Sequence, residues 1–217
     1  MRRTAQPAKG RRRYAARLPA VERREQLLEV AMGIVVSQGY AGLTMEAVAR
    51  EAGVTKPVVY DSFANRDEIM GTLLAAEEQR AVAEILTAIG GDPTGAVDVG
   101  TFVAGAVSRA LRTIAARPLT YRLILMQIEG TPPLVRERID KGRATIVARV
   151  QAILAAATRR ADGTPTFDEE LLALGVVAMG EQAAILLLSD PERFAPERFD
   201  AALAQLLSAL LPSSLTA

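Results

Sequence analysis

The chain has 217 residues, with 26 Lys+Arg against 25 Asp+Glu, 50% hydrophobic and only 4% aromatic residues, and no Cys, His or Trp. Without cysteine there are no disulfides, thiolate metal sites or thiol nucleophiles; without histidine there is no imidazole base, no Ser-His-Asp triad and no imidazole metal ligand. The composition therefore points to a binding protein of one or two domains rather than an enzyme, with no metal and no cofactor expected.

Charge is unevenly spread. Residues 1–17 carry seven basic groups, Arg11, Arg12 and Arg13 among them, and no acid. Such an arm, interrupted by Pro7 and Gly10, reads as a disordered polycation attracted to polyanions. Residues 1–19 lack the apolar run of a signal peptide, so a cytoplasmic protein is expected.

The elements that follow read as helices. Leu28, Ala31, Met32, Val35 and Val36 form the stripe of an amphipathic helix over residues 19–38. Gly39 is placed to end it in a left-handed conformation. Thr44 caps a helix of about two turns over residues 45–52, and Thr55 caps another that runs to Phe63, packed through Val59 and Phe63. Asn65 and Glu68 have capping-box spacing ahead of a long helix to Ile89. Turn residues at 90–95 break the chain. Helices are then expected over residues 97–116, 118–127 and 132–158, with Pro118 and Pro132 in first turns, and, after a loop at 161–165, over 166–188 and 196–211. Thr166 and Glu169 repeat the capping-box spacing. No period-two segment or repeat is present, and the expected class is all-α.

Two short helices joined by the turn Ala52-Gly53-Val54-Thr55, behind a longer helix, make a helix-turn-helix, the arrangement that lays its last helix in a DNA major groove. Val59 and Phe63 share the buried face, leaving Lys56, Pro57, Val58, Tyr60, Asp61 and Ser62 on or beside the outer one.

The segment GYAGLTMEAVAREAGVTKPVVYDSFANRDEI, residues 39–69, resembles the DNA-binding domain of the TetR family of bacterial repressors. The matching elements are Gly39-Tyr40, Thr44, the turn through Val54, Thr55-Lys56, Tyr60, Phe63 and a basic residue at Arg66. Val35 stands where the family usually has phenylalanine, and Ser62 where a histidine often contacts a phosphate. The resemblance implies that Thr44, Thr55, Tyr60 and Arg66 hold phosphate oxygens, with Lys56 at the backbone or a base edge. Pro57 and Val58 offer only apolar surface, able to meet thymine methyls. Arg11, Arg12 or Arg13 would then enter a neighbouring minor groove.

The expected organisation is a basic arm over residues 1–18, a DNA-binding domain over 19–66 and a helical ligand-binding and dimerisation domain over 67–217. The stretch LLALGVVAMGEQAAILLL, residues 171–188, is apolar nearly all round, but a carboxylate at its middle argues against a membrane span and for burial between helices or subunits. The resemblance implies a homodimer built on the last two helices, bound to a pseudo-palindromic duplex operator. It also implies a pocket for a largely apolar small-molecule effector between the fourth and eighth helices. Phe102, Tyr121, Leu125, Met126, Gln127, Glu129, Met179 and Glu181 lie in that region, and plain core packing is the rival account of each. Glu181, inside an apolar helix, needs an arginine, a second-subunit group or a ligand as partner. The functional expectation is a ligand-released transcriptional repressor. The alternatives are an activator of the same fold, or a helical interaction or membrane-surface protein using the basic arm.

Overall fold

The computed structural model describes residues 18–91, 99–126, 133–158 and 167–210, and within them the secondary structure is entirely helical. The helices are α1 (Ala20–Gly42), α2 (Met45–Glu51), α3 (Lys56–Ser62), α4 (Arg66–Ala88), α5 (Val99–Ala116), α6 (Pro118–Leu125), α7 (Pro133–Thr158), α8 (Glu169–Ser189) and α9 (Pro196–Leu210).

The apolar stripe of α1 is set one step round from the expected one. Leu27, Ala31, Ile34 and Val35 are buried, while Leu28, Met32 and Val36 pack at the margin. Gly39 has φ 74° and ψ 176°, a positive-φ conformation open to glycine, and the resulting kink turns the Tyr40 ring into the core. Thr44 caps α2 by accepting from the Ala47 N–H at 3.0 Å. Gly53 has φ 66° at the reversal between α2 and α3. Thr55 occupies the N-cap position of α3 but makes no side-chain cap bond there, so the expected cap is positional only. At the start of α4 the Asn65 side chain accepts from the Glu68 N–H at 2.9 Å. Glu68 reaches back to the N–H of Ala64, one residue before the expected Asn65.

Later boundaries also moved. Helix α6 stops at Leu125 because Met126 is extended. Helix α8 is capped by Asp168, whose carboxylate accepts from the N–H groups of Glu170 and Leu171. Pro132, Thr166, Gln127, Glu129 and the arginines of the arm lie outside the described residues.

Two apolar clusters organise the chain. The first joins α1, α2 and α3 to Ile69, Met70, Leu73 and Leu74 of α4, with Leu123 and Val135 closing it from below. The second joins the later part of α4 to α5 through α9. Helix α4 thus supplies side chains to both. Helix α8 lies against α5, α6 and α7, whereas α9 lies along α5. Between α4 and α6 runs a charged seam. Glu77, only 6% exposed, accepts from the Thr120 hydroxyl at 2.5 Å and pairs with Arg80 and Arg117, and Arg117 also reaches Glu84. These partners compensate a carboxylate that would otherwise be costly to bury.

Candidate nucleic-acid interface and internal cavity

Helix α3 is amphipathic over only seven residues. Val59 is fully buried and Phe63, at its C-cap, is 1% exposed, so the helix is pinned from one side. Lys56, Pro57, Tyr60 and Asp61 face outward, Tyr60 with 52% exposure, and Val58 and Ser62 are half-buried at the edges. The Ser62 hydroxyl donates to the Val58 carbonyl at 3.2 Å. Thr44, Thr55 and Arg66 are also exposed. The Thr44 oxygen is used as an acceptor by its own cap, leaving its hydroxyl proton for an outside acceptor. Arg66 lies beside Asp67, with Nε–Oδ1 at 3.5 Å.

Two residues of this face were not singled out by sequence. Glu46, exposed on α2, holds the Lys56 ammonium at 2.5 Å, and that hydrogen bond holds its carboxyl below the usual range. A phosphate approaching Lys56 therefore exchanges with Glu46. Arg24 of α1 lies over the Phe63 ring, donates to the Ser62 carbonyl and pairs with Glu68 at 3.0 Å, tying the end of α3 to both long helices. Its partners lie 38 to 44 residues away, so no local pattern marks it.

A cavity of about 150 Å³ lies inside the second cluster, walled by α4, α5, α6, α7 and α8. Of the residues expected there, Phe102, Tyr121, Leu125 and Glu181 line it. Met126 and Met179 instead pack against the surrounding cluster without reaching the wall. Among the described lining residues only Glu78, Tyr121, Arg143 and Glu181 are polar; the rest are aliphatic, phenylalanine or glycine. The Tyr121 hydroxyl donates to Glu84 at 3.2 Å; burial first, and the Glu84 charge second, push its pKa far above the usual tyrosine value. The partner that Glu181 needs is Arg143 of α7, whose Nε lies 2.8 and 3.1 Å from its two oxygens.

The exposed side of α8 carries Leu171, Gly175, Ala178 and Gln182, spaced along one face, with Leu171 66% exposed. Ala201, Ala202, Gln205 and Leu206 are exposed on α9.

Residues 27–73 match the family model described as bacterial regulatory proteins, tetR family. The HTH-type transcriptional activator FasR of Mycolicibacterium smegmatis is 29% identical over 178 residues, covering 82% of this chain and 77% of that protein. A TetR-like transcriptional regulator from Rhodococcus sp. RHA1 superposes with a TM-score of 0.64 at 22% identity, over 89% of this chain and 96% of that one. The transcriptional regulator FadR from Bacillus subtilis, solved in complex with stearoyl-CoA, superposes with a TM-score of 0.62 at 13% identity, over 87% and 99% of the two chains.

Proposed function

Since this chain belongs to the TetR family of bacterial regulatory proteins, we propose that it works as a ligand-responsive DNA-binding transcriptional regulator, and specifically as a repressor released from a pseudo-palindromic operator by its effector. The observation that carries this reading is the polarity of α3, which is anchored through Val59 and Phe63 while Lys56, Pro57 and Tyr60 face outward. Thr44, Thr55, Tyr60 and Arg66 supply donors for phosphate oxygens, Lys56 a cation for a phosphate or base edge, and Pro57 and Val58 apolar contact with thymine methyls. Ser62 lies at the edge of this surface, its hydroxyl turned back to Val58. Arg11, Arg12 and Arg13 would extend the contact along the minor groove.

The effector we propose is largely apolar, supported by the cavity wall, and carries an acyl chain, supported by the stearoyl-CoA of the Bacillus subtilis FadR structure; the cavity of about 150 Å³ takes up only part of such a ligand. Helix α4 connects the two sites. Its first turn carries Arg66, its next two turns pack against α1 in the cluster that also holds α2 and α3, and Ala81 and Ile85 line the cavity. A ligand that fits one tilt of α4 better than another shifts the DNA-binding equilibrium by that difference in affinity. The small-residue faces of α8 and α9 would join two copies and set the spacing of their α3 helices.

The decisive experiment selects duplexes from a random pool with the full chain and measures their binding across a salt series. A palindromic consensus whose affinity falls with salt is expected; no enrichment, or salt-independent binding, contradicts the interface. The relative FasR is named an activator, so activation is the second reading. A promoter fusion carrying the selected site separates the two by the direction in which transcription moves.

A further inference from the structure

The charged side chains of the cavity wall are held at two consecutive positions of α7, which packs against α4 and α8. A Cβ on Gly142 would lie 3.2 Å from Glu78 Oε1, and the next residue, Arg143, holds Glu181. Glu78 is itself paired with Arg138 at 3.0 Å. The cluster therefore contains two carboxylates and two guanidiniums, and Arg143, the one cation among the described lining residues, is already committed.

We infer that this site selects an amphiphile whose polar group inside the cavity is uncharged, an ester or thioester carbonyl or an alcohol, and discriminates against a free carboxylate, with Glu181 as the specificity-determining residue. This rests on the effector reading above. A carboxylate brought to this end meets Glu78 and Glu181, and sharing Arg143 with Glu181 sets two carboxylates against one guanidinium, at the cost of like-charge repulsion. A neutral oxygen avoids that repulsion. Both hydrogen bonds to Glu181 use Nε of Arg143, and the terminal guanidinium nitrogens carry further N–H donors for a carbonyl or hydroxyl oxygen. The other wall polar group, the Tyr121 hydroxyl, points its proton to Glu84.

The test uses the full chain and chain-matched probes of eight and twelve carbons, below their micelle concentrations: the fatty acid, its methyl ester, the primary alcohol and the acyl-CoA. Binding is read by calorimetry, and folding by the helical circular dichroism signal. The wild-type chain is expected to bind the ester and alcohol at least about tenfold more tightly than the acid, the ratio of one charge-assisted hydrogen bond. Glu181→Gln frees Arg143 and should raise affinity for the acid by about tenfold, while the double variant Arg143→Gln/Glu181→Gln should keep the ester and lose that gain. Tighter binding of the acyl-CoA than of the methyl ester identifies a thioester as the natural source. Equal binding of acid and ester by the wild-type chain overturns the inference, as does a Glu181→Gln variant that folds and keeps the wild-type preference. Should that variant not fold, the wild-type ratio decides alone. If no probe binds at either length, the apolar-effector reading falls, and the inference with it.

Discussion

The Arg24 guanidinium sits 3.9 Å from the centre of the Phe63 ring, so that α1 clamps the C-terminal end of α3 from outside while Val59 holds it from within. The same guanidinium donates to the Ser62 carbonyl, one of the last carbonyls of a helix too short to satisfy its own end. Arg24→Ala should destabilise the chain by about 1–2 kcal/mol, from the lost cation–π contact and hydrogen bond together. It should also weaken operator binding, because α3 frays. Urea unfolding and a binding isotherm on the same sample check this; unchanged stability would mean that Phe63 alone suffices as anchor.

Lys56 and Tyr60 project from that clamped helix. Lys56→Ala is expected to reduce the slope of log K against log salt by about one, since one phosphate contact is removed. Tyr60→Phe should weaken binding by roughly tenfold at most, the worth of one hydrogen bond, without altering the slope. Glu46→Gln moves the other way and tightens binding, because Lys56 no longer has to leave a carboxylate. If all three variants bind like the wild-type chain, the contact face lies elsewhere.

Gly53 has φ 66° and open space where a Cβ would go. The cost of Gly53→Ala is therefore backbone strain alone, about 1–2 kcal/mol, and Gly53→Asn should cost less because asparagine visits that conformation more readily. Equilibrium unfolding of the two variants gives the order directly. Equal stabilities would mean that the turn relaxes.

Burial and Glu84 raise the pKa of Tyr121, and burial raises that of Tyr40. The unfolded phenols lose their protons around 10.0 while the folded ones keep them, so above that pH the folded state binds more protons. The contribution is complete below pH 10 and declines as the pH climbs beyond it toward the folded values. Thermal melts from pH 8 to 11 should show the decline, and Tyr121→Phe should flatten part of it. A slope unchanged by that substitution would assign the effect to other groups.

On α8, Gly175 and Ala178 expose backbone-close surface between Leu171 and Gln182. Ala178→Glu would put a charge on each side of a two-fold contact and should convert a dimer to monomer, with the helical signal intact. Sedimentation velocity settles the outcome; a dimer that survives the substitution places the interface away from this face.

Helix positions and turns were largely legible because they depend on interactions within about four residues: the apolar period, the cap at Thr44, the glycine reversal at 53, the proline at 118; Gly39, expected to end α1, instead kinks it before Gly42. Errors there were small and local. The α1 stripe sits one step round, and Asp168 caps α8 where the expected cap was Thr166, because several nearby residues compete for the same role and only packing chooses among them. The outer face of α3 followed from the i, i+4 pair Val59 and Phe63. The cavity wall was harder. Phe102, Tyr121, Leu125 and Glu181 reach it and Met126 and Met179 do not, a difference of side-chain direction on helices whose rotation is set by their neighbours.

From the amino-acid order alone came the all-helical class, the helix-turn-helix and the demand that Glu181 find a partner, since each is a matter of spacing or of the desolvation of a single group. Tertiary structure decided that Arg143 is that partner, that Arg24 closes over Phe63, that Glu46 holds Lys56, and that α9 lies along α5. In Arg143–Glu181 and Arg24–Phe63 the pairs are 38 and 39 positions apart in the chain, and the packing of whole helices, rather than any local preference, brings them within a few ångströms.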